Sequence, residues 1–209
     1  DLATALSEVK RFDEALHSYE AAILLDTTDA AARNGRGLVF KELGQLDAAL
    51  QSFQLAIELQ PDYPESYKNC ALVNMQRREF AKALAYCDMA IARDPSYAVA
   101  YQVRGTMHEA MAQLDAALEN LDQAIELDPY LADAYNARAL VLQKKGQREA
   151  AMQDWDNVVS LKPKCAEAHA RRAEMLEELK QFEAALEAYG AAIALGKHDA
   201  KIHNDRGAV

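Results

Sequence analysis

The stretch IELDPYLADAYNARA, Ile125–Ala139, places a proline between two segments that otherwise have the composition of helices. The same arrangement recurs every 34 residues, centred on Pro61, Pro95, Pro129 and Pro163. A fixed period of about 20 to 50 residues is typical of repeat proteins. Because proline lacks an N–H and cannot continue a helix, we expect each proline to end one helical unit before the next begins.

Two columns of small residues appear when the 34-residue unit is numbered with its proline at position 32. Position 8 is glycine or alanine: Gly37, Ala71, Gly105, Ala139, Ala173 and Gly207. Position 20 is always alanine: Ala15, Ala49, Ala83, Ala117, Ala151 and Ala185. Apolar residues recur at helical spacing in two blocks, one around each column. The pattern predicts two antiparallel helices whose backbones approach closely where both residues are small.

These columns resemble those of the tetratricopeptide repeat (TPR) family, which also has an aromatic residue at position 24 and alanine at position 27. The resemblance implies an all-α solenoid of stacked antiparallel helix pairs wound into a right-handed superhelix. We expect a single array over residues 1–209. A partial repeat (1–29) precedes five complete repeats (30–63, 64–97, 98–131, 132–165 and 166–199) and the start of another (200–209).

The composition of the chain disfavours several classes of function. The chain is 51% hydrophobic, enough for a sizeable core, and its net charge is −10, which disfavours a nucleic-acid partner. No apolar run is long enough to span a membrane and no signal peptide is recognisable, so we expect a cytoplasmic protein without membrane contact. The odd number of cysteines favours reduced thiols in the core, with a Cys70–Cys87 disulfide as the alternative.

No catalytic or cofactor-binding motif is present, so we expect neither an enzyme nor a cofactor. His169 and His203 occupy position 4 of neighbouring repeats, where preceding repeats have tyrosine. We interpret them as core replacements for tyrosine rather than as metal ligands.

Position 7 is arginine in five repeats: Arg36, Arg104, Arg138, Arg172 and Arg206. Such a column could be a basic stripe for an anionic ligand. We favour a structural role, in which each arginine covers the helix layer and pairs with a nearby acid.

The TPR resemblance implies that the first helix of each repeat lines a concave groove, with positions 2, 5, 6, 9, 12 and 13 facing a ligand. The candidate peptide-binding residues are Asn34, Leu38, Lys68, Asn69, Leu72, Met75, Gln102, Val103, Thr106, Asn136, Leu140, Arg171, Glu174, Glu177 and Glu178. Apolar residues edged by amides suit an extended peptide or an amphipathic helix. The three glutamates predict an acidic end that favours a basic ligand segment. The chaperone-binding carboxylate clamp of some TPR proteins is absent, because its register gives Leu72, Val103, Asp133 and Ala137 after Lys68.

The function we predict is a protein-interaction scaffold or adaptor with a protein or peptide partner. A second hypothesis is a substrate-presenting region of a larger enzyme. The phrases LKQFEAALEAYGAAIAL and NDRG look like the TPR arrays of bacterial proteins similar to O-GlcNAc transferase, which are glycosyltransferases. Two further hypotheses are a solvated groove without a ligand and self-association through the terminal repeats, where Ile202 should lack a packing partner.

Overall fold

The computed structural model describes residues 2–196, which form twelve α-helices and no strand. The helices are α1 (Leu2–Glu8), α2 (Phe12–Leu25), α3 (Ala30–Glu42), α4 (Leu46–Leu59), α5 (Pro64–Gln76), α6 (Phe80–Arg93), α7 (Ala98–Ala110), α8 (Leu114–Leu127), α9 (Ala132–Lys144), α10 (Arg148–Leu161), α11 (Ala166–Glu178) and α12 (Phe182–Ala194). This confirms the all-α fold. The predicted further repeat, 200–209, lies outside the described residues, together with the predictions for Ile202, His203 and Arg206.

The contacts divide the chain into two compact units, Asp1–Val103 and Arg104–Val209, with the boundary inside α7. In the first unit α1 packs on α2, α3 on α4 and α5 on α6. In the second unit α9 packs on α10 and α11 on α12. Each odd-numbered helix from α3 to α11 begins at the first residue of a predicted repeat, so the 34-residue period marks the helix pairs correctly.

Five of the second helices, α2, α4, α6, α8 and α10, end in extended backbone immediately before position 32, whereas α12 is followed by Leu195 at φ −86° and ψ 7°. Gln60, which precedes Pro61, has φ −135° and ψ 82°, and its N–H still donates to the Ala56 carbonyl at 2.9 Å. A residue before proline is disfavoured in the α region, which accounts for this end. Asp26 ends α2 in the same way at φ −131° although Thr27 follows it, so a proline is not required for this boundary. The Asp26 carboxylate accepts hydrogen bonds from the N–H and the hydroxyl of Thr28.

Small residues at position 8 are required by the close approach of paired helices. A Cβ atom on Gly37 would lie 2.5 Å from Cε1 of Phe53, and one on Gly105 would lie 2.7 Å from Cγ of Leu121. The alanines at position 20 are fully buried in every described repeat. The two columns therefore allow a large side chain at position 24 to fill the space between the helices.

The first helix of each pair ends in a left-handed residue at position 15. Its φ is 72° at Gly44, 61° at Arg78 and 58° at Ala112. Around Gly44 the N–H of Gly44 donates to Lys41 and that of Gln45 donates to Phe40, which satisfies two terminal carbonyls. The geometry repeats with or without glycine, so non-glycine residues adopt it at a cost.

Replacing Ala112 with glycine should therefore stabilise the protein by about 0.5–1 kcal/mol, because a Cβ is unfavourable at positive φ. Gly44→Ala should destabilise it by a similar amount, although a methyl group at Gly44 meets no atom within 4 Å. The measurement is the urea midpoint by circular dichroism. Ala110→Gly, within α7, is the control and should destabilise. A midpoint that falls for both Ala→Gly changes would contradict the prediction.

The cysteines are free thiols in the structure, with Cys70 and Cys87 buried and Cys165 half-buried. Burial raises the pKa of Cys70 to about 12, against a smaller opposing effect of its hydrogen bond with Tyr86.

At pH 8 only about one Cys70 side chain in 10,000 should be a thiolate. We expect iodoacetamide to label Cys165 in the native protein and to spare Cys70, as measured by peptide mass spectrometry. In urea all three thiols should react. Labelling of Cys70 at the rate of Cys165 in the native state would contradict its burial.

Candidate ligand-binding surface

The predicted ligand-facing residues of the first unit lie on α3, α5 and the start of α7. Of these, Leu38 of α3 and Lys68, Leu72 and Met75 of α5 are half-buried, and so is Lys41 of α3, which was not predicted. Their spacing of three, four and seven residues places them on one side of each helix. We call these five residues the A-helix face. Its apolar side chains keep some exposed surface, and the helices that carry them cover the rest.

Two predicted residues, Asn34 and Asn69, lie beneath this face rather than on it. Asn34 is 4% exposed and Asn69 is fully buried. Nδ2 of Asn69 donates to Oδ1 of Asn34 at 2.9 Å, and Oγ of Ser66 donates to the same oxygen at 3.2 Å. These hydrogen bonds join α3 to α5. Oδ1 of Asn69 is buried and has no hydrogen-bond partner among the described residues.

Lys68 carries the charge at the centre of the A-helix face. Its Nζ is 3.4 Å from Oε1 of Glu65, and its side chain is only 14% exposed. Burial lowers the pKa of Lys68; the carboxylate of Glu65 opposes this shift, and the charge of Lys41 adds to it. The hydroxyl of Tyr63 donates to Glu65 at 3.1 Å, and burial, followed by the charge of Glu65, raises the pKa of Tyr63 to about 12. Glu65 is thus held between two donors.

Lys41 was missed by the sequence analysis. It occupies position 12, the same position as Met75, so the rule that selected Met75 would also have found Lys41. Of the remaining predicted residues in this unit, Gln102 is half-buried, whereas Val103 is 3% exposed and offers a ligand little surface.

In the second unit, Thr106, Asn136 and Leu140 are half-buried. Leu140 packs against the core cluster that contains Trp155 and Met175. These residues keep some accessible surface, but part of Leu140 already belongs to the core.

The three predicted ligand-facing glutamates of α11 all have partners within the second unit. Arg171 contacts Glu167 at 2.9 Å and Glu174 at 3.2 Å. The hydroxyl of Tyr189 donates to Glu177 at 2.9 Å, and Arg148 contacts Glu178 at 3.0 Å. A basic ligand segment would have to compete with two arginines and a tyrosine hydroxyl, so the acidic docking end stays a prediction.

The arginines of position 7 bind side chains of the neighbouring second helices. Nε of Arg36 donates to Ser52 at 3.3 Å and Nε of Arg104 donates to Asn120 at 2.5 Å. Arg172 pairs with Asp156 at 2.6 Å. The partners are therefore a hydroxyl and an amide as well as acids, which agrees with a structural role for this column.

Arg138 makes the strongest of these contacts. It donates two hydrogen bonds to Asp154, at 2.8 and 2.7 Å, and one to Asp122 at 2.6 Å. The hydrogen bond with Asp154 is the main cause that raises the pKa of Arg138 above its ordinary value. Asp154 is 2% exposed and Arg138 is 23% exposed, so the carboxylate of this ion pair is buried.

Arg138→Ala should destabilise the protein by about 3 kcal/mol, because it leaves a buried carboxylate without its partner. Asp122→Ala removes only the exposed partner of Arg138 and should cost less than about 1 kcal/mol. Urea denaturation followed by tryptophan fluorescence measures both, since Trp155 lies on the same helix as Asp154. Equal losses of unfolding free energy for the two variants would show that the burial of Asp154 does not determine the cost of removing its partner.

His169 takes the place of tyrosine in the structure. Its Nε2 lies 3.0 Å from the carbonyl oxygen of Pro163, and the hydroxyl of Tyr67 lies at the same distance from that of Pro61. Within residues 2–196 no group of three or more potential ligands could hold a metal ion. None of the described helices combines the length and the hydropathy needed to cross a membrane.

Two family models match the chain, one described as TPR repeat over residues 37–77 and 112–146, the other as tetratricopeptide repeat over residues 136–200. Together they cover more than half of the sequence. The chain belongs to the TPR family, whose repeats form protein-interaction scaffolds. No curated protein matches its sequence significantly.

Solved structures share the fold at low sequence identity. PilW, a type IV pilus biogenesis factor, has a TM-score of 0.81 and 22% identity, with 97% of this chain and 94% of that chain covered. TTC0263, a TPR protein of Thermus thermophilus, has a TM-score of 0.70 and 23% identity, with coverage of 86% and 97%. YrrB, described as a TPR protein with an unusual peptide-binding site, has a TM-score of 0.61 and 20% identity, with coverage of 91% and 98%.

Proposed function

We propose that the chain is a scaffold whose A-helix face binds a short segment of a partner protein. The observation that carries this proposal is the presence of Leu38, Leu72 and Met75, half-buried and apolar, on adjacent first helices of a TPR fold. Apolar side chains that stay partly exposed on one face provide burial when a ligand covers them. An apolar ligand residue would cover the surface of these side chains that α3 and α5 leave exposed.

The charged residues of the same face favour a defined ligand orientation. Lys68 is largely buried beside the apolar side chains and is paired with Glu65 at the long distance of 3.4 Å. The ammonium group of Lys68 loses hydrogen bonds to water when a ligand covers it. A ligand carbonyl or carboxylate near Lys68 would replace those hydrogen bonds. The rigid α3–α5 connection through Asn34 and Asn69 keeps these groups in place, which lowers the ordering cost of binding.

A comparison gives further support. The structural neighbour YrrB is described as having a peptide-binding site, and a peptide ligand would suit the A-helix face here. The proposal itself depends on the residues of this chain, because identity with that protein is only 20%.

The ligand can be identified by photo-crosslinking. A benzoylphenylalanine introduced at Met75 should cross-link to one recurrent partner segment in a lysate, and mass spectrometry identifies it. The same group at Leu24, which is 82% exposed on α2, is the matched control. The identified segment is then synthesised as a peptide for affinity measurements.

Leu72→Asp and Met75→Asp should each weaken binding of that peptide at least about tenfold, because a carboxylate replaces an apolar contact. Leu24→Asp should leave the affinity unchanged. Calorimetry gives the affinities, and circular dichroism verifies that each variant keeps its helices. If both groove variants fold and bind like the parent, the A-helix face is not the site.

A further inference from the structure

A second surface of the first unit lies on the outer sides of α4 and α6. Between these helices is a cleft of about 540 Å³, lined by Ile57, Tyr67, Tyr86 and Met89, with Glu58 and Arg93 at its rim. Met89 is 44% exposed although it is a large apolar residue. The cleft is separate from the A-helix face, because none of its lining residues belongs to that face.

The residues of α6 beside the cleft are more apolar than those at the same repeat positions of α4 and α8. Positions 18, 22, 26 and 29 of α6 are Ala81, Ala85, Met89 and Ala92, all of them exposed. In α4 these positions are Asp47, Gln51, Leu55 and Glu58, and in α8 they are Asp115, Glu119, Gln123 and Glu126. The outer side of α6 therefore continues the apolar lining of the cleft along the helix.

The walls of the cleft are already fixed by hydrogen bonds. The guanidinium of Arg93 lies 4.1 Å from the centre of the Tyr67 ring, and it donates to the carbonyl oxygens of Pro61 at 2.6 Å and Met89 at 2.9 Å. Nε2 of Gln54 donates to the hydroxyl of Tyr86 at 3.2 Å. A ligand would find the cleft already formed, which lowers the cost of binding.

Glu58, at the rim, is an acid without an ionic partner in the described part of the chain. Glu58 makes no hydrogen bond or ion pair with any of the described residues, whereas Arg93 is engaged by Tyr67 and two carbonyl groups. Arg93 keeps its positive charge, but its Nε and one terminal amino group are occupied by carbonyl groups, whereas the carboxylate oxygens of Glu58 keep their full capacity to accept hydrogen bonds. A basic group would complement this carboxylate.

We propose that the cleft and the outer side of α6 bind an amphipathic helix of a partner protein. A large apolar side chain of that helix enters the cleft between Ile57, Tyr86 and Met89, and a lysine or arginine lies beside Glu58. The alanines allow the helix to approach α6 closely. The span from Ala81 to Ala92 corresponds to about 17 Å, or three turns, of a partner helix.

The test uses a displayed library of helical peptides, each about four turns long, selected on the full chain. Selected peptides should combine a large apolar residue with a neighbouring lysine or arginine. Ala85→Glu and Met89→Gln place on α6 the residues that α8 has at the same positions, so both variants should fold. Each should weaken binding of the selected peptides at least tenfold, and Gln51→Glu on α4 is the matched control with unchanged affinity.

Glu58→Lys isolates the charge contribution. It should weaken the binding of basic peptides about tenfold at low salt and reduce the dependence of affinity on ionic strength. Leu72→Asp on the A-helix face should leave these affinities unchanged, which separates this proposal from the proposed function.

Three results would overturn the proposal. The first is that no helix is selected, and the second is that the selected helices bind Ala85→Glu and Met89→Gln as tightly as the parent. The third is a dimer in analytical ultracentrifugation that Ala85→Glu dissociates, which would assign this surface to a second copy of the chain. Selected peptides without a basic residue, or unchanged binding to Glu58→Lys, would remove the charge complementarity from which the occupant is inferred.

Discussion

The close approach of two helices within each pair is the constraint on which the rest of the structure depends. A side chain at Gly37 would overlap the ring of Phe53, and one at Gly105 would overlap Leu121. The distance between paired helices is therefore set by the small size of the residue at position 8 and by a single methyl group at position 20. Because the pairs repeat this spacing, the residue at position 24, which is large except at Cys87, fills the same space in each pair. Stability therefore accumulates between neighbouring elements.

Polar side chains between helices extend this constraint. Asn34 and Asn69 join two first helices, and Arg138 joins α9 to Asp154 on α10. Asn34, Asn69 and Asp154 are buried, so the loss of a partner would leave a further buried polar atom without a hydrogen bond. These polar contacts thus fix the position of one helix along its neighbour, which the columns of small apolar residues alone would not determine.

The sequence predicted the helix pairs well because their determinants are local and periodic. The first helices from α3 to α11 begin at the predicted repeat boundaries, and His169 contacts Pro163 as Tyr67 contacts Pro61. The left-handed conformation at Arg78 and Ala112 was not predictable from residue type, because glycine occupies that position in only two of the repeats with a described turn there.

The candidate site was less predictable, because position within a repeat does not determine exposure. Asn34 and Asn69 occupy predicted ligand-facing positions, yet they bind each other beneath the surface. Glu178 lies on α11, but its partner Arg148 is on α10 of the preceding repeat, at a distance in sequence that the repeat columns do not reveal. Contacts between particular side chains of different repeats cannot be predicted from the columns and are seen only in the structure.

Periodic packing restrains the inward positions and leaves the outward ones free to differ between repeats. In the first unit this freedom is concentrated on α5 and α6. Tyr67 lines the outer cleft and bonds to Pro61, while its neighbour Lys68 lies on the A-helix face and pairs with Glu65. The fully buried Cys70, Ala71 and Val73 follow on the same helix. Two surfaces that share a helix but no side-chain partner should respond independently to substitution, so one rigid repeat can present two separate binding surfaces.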